Sequence, residues 1–277
     1  FEENIDQINV KKLIENEIVR QNEIYNKSLL IDNRKEKKTK KQLEEEQLIK
    51  DFITATDNFV VYRPSFRLHT LLAGYPWFLD WGRDSLISFE GLLLVTKRFD
   101  IAKEVLQTLV RDIKFGLVPN GYSGFDNRPL YNSVDASLLL FEQIQKYVEY
   151  TEDYEFVKEN LYEKLKDIIE NYKNGIDVDD NNIYLDTDYL IVSGTQNTQN
   201  TWMDAKCNNK AVTPRNGKAV EINSLWYNAN VIMADLENKI GNKNDAKKYQ
   251  ELARKCKKAF NEKFYNKKRK CLYDGEM

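Results

Sequence analysis

The chain has 277 residues, 42% of them hydrophobic and 31% charged, ordinary globular material with enough length to bury one large core or two smaller ones. A formal net charge of −2 supplies no overall field to draw a nucleic acid or an anionic membrane, so neither is expected as a partner. No apolar run reaches the length of a membrane span, and the opening "FEENIDQ" is neither a signal peptide nor an initiator methionine, so a piece of a longer chain is expected.

Cys207, Cys256 and Cys271 are too few and too scattered for a disulfide framework or a zinc site, which points to a reducing compartment, the cytoplasm. His69 is the single histidine, so histidine-rich metal ligation is excluded and a Ser/His/Asp triad has one candidate, more simply read as a turn or surface residue. No P-loop and no dinucleotide fingerprint is present, so no cofactor and no metal is expected.

In chain order, residues 4–50 are dominated by charge, with "RKEKKTKKQLEEEQ" at 34–47 as the extreme; adjacent basic and acidic blocks largely cancel, as on a solvated helix or linker. "FDIAKEVLQTLVRDIKFG" places Ile101, Val105, Leu109 and Ile113 four apart, a helix with Asp100 as N-cap and Gly116 as stop. "VDASLLLFEQIQKYVEY" repeats the pattern, and "DYEFVKENLYEKLKDIIENYKNG" repeats it again and ends at Gly175. "VEINSLWYNANVIMADLENKIGN" aligns Ile222, Leu225, Ala229, Ile232 and Leu236 on one face, and "DAKKYQELARKCKKAFNEKF" closes the series. Short turns between several of these imply antiparallel helical pairs. "NIYLDTDYLIVSG" at 182–194 is the one fair candidate for a hairpin.

Residues 116–131 and roughly 175–219 are far longer than helix-to-helix turns, and they are rich in aromatics, amides and carboxylates, as functional loops on a rigid scaffold are. The four tryptophans, Trp77, Trp81, Trp202 and Trp226, each lie near a carboxylate at or before a helix start. All four could simply fill space; flat aromatic faces beside acids and amides also suit sugars, whose hydroxyls bind carboxylates, Arg and Asn.

The blocks "AGYPWFLDWGRDSLIS", "GLVPNGY", "YNSVDASL", "TWMDAK" and "VTPRNGKAVEINSLWYNA", in this order from about residue 47 to residue 238, resemble the glucosidase domain of glycogen debranching enzymes, the amylo-α-1,6-glucosidase family. The resemblance implies an all-α fold of six inner and six outer helices, the α/α toroid of the six-hairpin glycosidases. With seven or eight helical segments visible, the toroid is expected to be incomplete at its C-terminal end. Residues 1–46 are then a charged helical segment or linker from an upstream domain, and 47–277 the N-terminal and middle part of the glucosidase domain. An incomplete toroid would leave the apolar faces near 86–95 and 222–236 without partners. The implied activity is hydrolysis, with inversion, of α-1,6-linked glucose at the branch points of glycogen or limit dextrin. The implied partners are a branched α-glucan or oligosaccharide and the remainder of the parent chain.

By the same resemblance, Trp81, Arg83 and Asp84 belong to a block that holds the terminal glucose; alternatively Asp84 only caps a helix, with Arg83 its surface neighbour. Asp204 matches the general acid, and Trp202 beside it would form an apolar wall that favours the protonated carboxyl; otherwise Asp204 is a loop residue bonded to its own backbone. Asn132 and Asp135 line the pocket or hold a helix start. Glu221 is a ligand of the adjoining sugar or a structural acid paired with Arg215. An inverting glycosidase needs a second carboxyl roughly 6.5–9.5 Å from the first, and the resemblance puts that base beyond Met277. A glucoamylase- or trehalase-type toroid hydrolase, or a helical module that binds glycan or protein without catalysis, are the rival readings.

Overall fold

Helices carry the architecture. The computed structural model describes residues 9–28, 30, 38–75, 77–123, 126, 128–208 and 210–276. Among these are nine α-helices: α1 (Val10–Lys27), α2 (Lys40–Asp57), α3 (Gly82–Phe89), α4 (Phe99–Arg111), α5 (Ala136–Thr151), α6 (Tyr154–Asn160), α7 (Tyr162–Asn174), α8 (Val220–Ile240) and α9 (Lys243–Phe264). A π-helical turn, Glu90–Leu94, continues α3.

Short antiparallel hairpins fill the connections: β1 (Val60–Arg63) with β2 (Leu68–Leu71), β3 (Gly121–Tyr122) with β4 (Pro129–Leu130), and β5 (Tyr184–Leu185) with β6 (Ile191–Val192). β7 (Lys206–Cys207) pairs with β8 (Lys210–Ala211). β9 (Lys218–Ala219) pairs with β12 (Gly275–Glu276), and β10 (Tyr265–Asn266) with β11 (Cys271–Leu272). The hairpin expected at 182–194 is β5–β6; β1–β2, of four residues each, went unread, and so did the remaining pairs, whose two-residue strands have no period to detect.

α3, α5 and α8 form the centre. α5 is buried almost all round, through Leu138, Leu140, Phe141, Ile144, Tyr147 and Val148, as a helix is when neighbours cover every face. α8 packs on it through Ile222, Trp226, Ala229 and Met233, and a turn at Gly241–Asn242 folds α9 back along α8. Leu86, Phe89, Leu93 and Leu94, and Ile222, Ile232 and Leu236, are all buried. The expectation of unpartnered faces near 86–95 and 222–236 is therefore corrected, because α5 lies against both α3 and α8 and covers them.

Other boundaries shift for local reasons. α4 starts one residue before Asp100, so that carboxylate sits in the first turn, where the helix dipole favours it, and Arg98 takes the cap position. The long helix expected over 153–175 breaks at Leu161 into α6 and α7. Gly175 ends α7 at φ +102°, a conformation that favours glycine. α2 runs across the expected boundary at residue 46, started by a capping box between Thr39 and Gln42; within the charge-dense run at 34–47, residues 34–37 lie outside the described residues.

Gly82, the first residue of α3, donates its N–H to the carbonyl of Asn120 at 3.0 Å. A Cβ on Gly82 would stand 2.3 Å from the carbonyl oxygen of Pro119, a rigid backbone atom. Gly82→Ala is therefore expected to cost about 1–3 kcal/mol by forcing the 119–120 loop off α3; chemical denaturation measures it, and an unchanged midpoint would contradict the close approach.

Candidate active site

Arg83 is the centre of the site. It lies on the first turn of α3 and is only 9% exposed. Its Nε donates to Asp135 Oδ2 at 2.6 Å and its Nη2 to Asp135 Oδ1 at 3.0 Å, a bidentate pair. Nη1 donates to Asp204 Oδ2 at 2.8 Å, and Nη2 also donates to the carbonyl of Thr201 at 3.1 Å. Burial works against the guanidinium charge, and the two carboxylates more than offset it. The reading of Arg83 as a surface neighbour is thus corrected, since only a buried arginine reaches acids on two separate loops.

Each loop is in turn held. Asp135 is the N-cap residue of α5 without a side-chain cap bond of its own; Ser133 Oγ donates to Asp135 Oδ1 at 2.6 Å and accepts from the N–H of Ala136, the first residue of the helix. The N–H of Val134 donates to the carbonyl of Asn200 at 2.8 Å, tying the loop of Asp135 to the loop of Asp204. Buried Asn200 bonds Asn181 by its side chain.

Asp84 is not the helix cap. Trp81 occupies that position without a side-chain cap bond, and Asp84 stands in the first turn with its side chain open to solvent. The protein around it desolvates Asp84 enough to raise its carboxyl above the ordinary range; its own backbone bond and Arg83 oppose this, and the charges of Asp204 and Asp135 reinforce it.

The tryptophans divide. Trp77 is 83% exposed and Trp202 is 56% exposed, with Tyr75 and Phe78 also open, so this edge presents aromatic faces. Trp81 is half-buried, with the backbone of Gly121 against its indole. Trp226 is fully buried and stacks on Tyr172, ring centroids 6.1 Å apart, so of the two readings weighed for the tryptophans it takes the space-filling one. Trp202 is too open to wall in Asp204, whose contact in the structure is the cation of Arg83.

Asn132 and Asn120 are among several side-chain amides with buried atoms left without a partner. Oδ1 of Asn132 is buried without one, and both amide atoms of fully buried Asn120 lack one, among the described residues. Buried amides of this kind are normally satisfied by ligand or ordered water. Asn120 escaped attention in the sequence, although it sits within the quoted "GLVPNGY" block; no spacing rule marks a lone amide. Glu221 is held by a bidentate contact with Arg215, which also grips Asp274 through Nη2 and Oδ1 at 2.8 Å. This is the structural pairing weighed for it. No group of three or more His, Cys, Asp and Glu residues is placed to hold a metal ion among the described residues.

Acids, amides and open indoles gathered on the loops of a helical scaffold are the chemical equipment of a sugar site. The chain belongs to the amylo-alpha-1,6-glucosidase family, whose model matches residues 54–276, a glycoside hydrolase family. It is also similar to the glycogen debranching enzyme of Saccharomyces cerevisiae (strain ATCC 204508 / S288c), 28% identical over 232 residues, which covers 64% of this chain and 15% of that protein's length.

Replacing Arg83 by Met leaves buried Asp135 without its counter-charge, and a loss of about 3–5 kcal/mol is expected in denaturant unfolding. Adding Asp135→Leu should recover part of it; a fully additive double variant would show that the pair is not coupled. Asp84→Asn tests the other acid. Its charged form is disfavoured in the fold, so wild-type stability falls as pH rises from the ordinary carboxyl value through the raised one. The variant should melt higher than wild type at pH 7, the two converging below the ordinary carboxyl value of 3.8; equal melting at pH 7 would refute the desolvation of this carboxylate.

Proposed function

We propose that this chain forms part of the active site of a debranching α-1,6-glucosidase that releases glucose, with inversion, from branch points of glycogen or limit dextrin in the cytoplasm. The observation that carries the reading is the Arg83 bridge. It joins the Trp-Gly-Arg-Asp block, the "YNSVDAS" block and the "TWMD" block, 52 and 121 positions apart, into one cluster within the family match. In this reading α3, α5 and α8 are inner helices of an α/α toroid, and Trp81, Asp84, Asn132 and Trp202 face the terminal glucose.

Asp204 is the proposed general acid. A guanidinium stabilises a carboxylate rather than a carboxylic acid, so proton donation requires the entering sugar to loosen the Arg83 contact. Asp135, bound through both oxygens, positions Arg83. Glu221, locked on Arg215, shapes the wall toward the next sugar. The general base comes from residues of the parent protein outside this set, consistent with the small share of the yeast relative that the chain covers.

Asp204→Asn in the parent protein is expected to lower glucose release from a branched limit dextrin by about two to four orders of magnitude while oligosaccharide binding stays within a fewfold. Retention of more than a tenth of the wild-type rate would remove Asp204 from the acid role.

A further inference from the structure

Arg215 lies in the connection before α8, and its side chain is only 5% exposed. All five of its N–H donors are placed. Nε and Nη2 grip Asp274 at 3.0 and 2.8 Å, and Nη1 and Nη2 grip both oxygens of Glu221, on the first turn of α8. The remaining N–H, on Nη1, donates to the hydroxyl of Thr201 at 3.4 Å. We infer that Arg215 is a positioning residue for the acid cluster, acting through Thr201 to keep Arg83 and Asp204 aligned. The inference rests on the glucosidase reading and adds to it a residue outside the Arg83 cluster.

Thr201 is where the two arginines meet, and it is 2% exposed. Its hydroxyl accepts from Arg215, while its carbonyl accepts from Arg83 Nη2 at 3.1 Å. Asp204, which receives Nη1 of Arg83 at 2.8 Å, follows three positions later. A shift at Thr201 therefore moves both ends of the Arg83–Asp204 contact: the anchor of the guanidinium and the chain that carries the carboxylate. Arg83 cannot follow freely, because Asp135 holds its other edge through both oxygens.

Arg215 is itself fixed from outside the cluster. Glu221 does most to hold its charge against burial, and Asp274, open to solvent, adds less. Two residues on, Gly217 exchanges backbone hydrogen bonds with Ser193, at 2.9 Å in each direction, so the strand after Arg215 is paired with the start of the loop that carries Thr201. With its carboxylates set by α8 and by the bend before β12, the planar fork has one direction left for its last donor, and Thr201 stands in it. A lysine would keep the charge without that geometry.

The consequence falls on the chemical step. Proton donation by Asp204 requires the Arg83 contact to loosen while Arg83 stays in place, and the carbonyl of Thr201 is one of the groups that keep it there. An interaction that matters in the transition state and little in the ground state lowers kcat when removed and leaves KM near its original value.

The test is steady-state kinetics on a branched limit dextrin with Thr201→Val, Thr201→Ser, Arg215→Lys and Asp204→Asn, each in the parent protein. Thr201→Val deletes one hydroxyl, keeps the side-chain shape and leaves Arg215 both carboxylates, so the variant is expected to fold. It should lower kcat about ten- to a hundredfold with KM within about twofold, as a slightly misplaced reacting group does. Thr201→Ser, which restores the hydroxyl, should recover most of the rate. Arg215→Lys should lose a similar factor, and adding Thr201→Val to it should cost no further rate. An unchanged kcat in Thr201→Val, an equal loss in Thr201→Ser, a loss confined to KM, or fully additive losses in the double variant would each overturn the positioning role. Asp204→Asn keeps the two readings apart: with its rate lost and Thr201→Val fully active, Arg215 alone is removed, and with Asp204→Asn fully active the acid assignment falls and the role of Arg215 falls with it.

Discussion

One buried cation organises this molecule's functional end. A guanidinium that has lost most of its water must find fixed oxygens in its place, and Arg83 finds them on Asp135, Asp204 and the carbonyl of Thr201. Those oxygens come from the loop before α5 and from the long connection before α8. Their mutual bond from Val134 to Asn200, and the amide of Asn200 on Asn181, extend the order inward from that charge. Desolvation makes each of these contacts expensive to break, so the loops gain the rigidity that a binding surface on loops requires.

The electrostatics also assign unequal roles to acids that look alike in the sequence. Asp135 is saturated by Arg83 and Ser133, Glu221 by Arg215, and Asp204 shares its arginine at a half-exposed edge. Asp84 stands one residue from the same cation, points the other way, and keeps an elevated proton affinity. Orientation on the first turn of α3, rather than residue type, separates these carboxylates.

Much of the helical frame was legible because its signal is periodic. Val105 and Leu109 of α4 and the Ile222–Leu236 face of α8 went to the core as their spacing requires. The break at Leu161 and the π turn at Glu90–Leu94 were not legible, since both sit inside runs whose apolar spacing is uninterrupted. At the candidate site, the blocks that carry the family resemblance contain Arg83, Asp135 and Asp204, which the structure brings into one hydrogen-bonded cluster. They did not reveal that Arg83 is buried, because its partners are 52 and 121 positions away. Of the two readings open for the tryptophans, Trp226 takes the space-filling one, stacked on Tyr172 in the core, and nothing in the blocks marked Asn120, whose significance lies in what it fails to touch.

The π turn has a mechanical meaning. Widening the helix by one residue exposes the carbonyl of Leu92 to side chains, and both Thr96 and Arg98 donate to it. Arg98 also holds Asp57 at 2.9 Å and Thr56 at 2.9 Å, the last turn of α2. From Gly82 to Leu94 the α-helix and its π turn form one helical run of about 20 Å, gripped near its start by the acids of the candidate site, and the turn beyond it carries Arg98, which ties that end to α2. The position of Arg83 along this helix is thereby referenced to α2 at the opposite end, the two arginines acting as pins with one helical run between them.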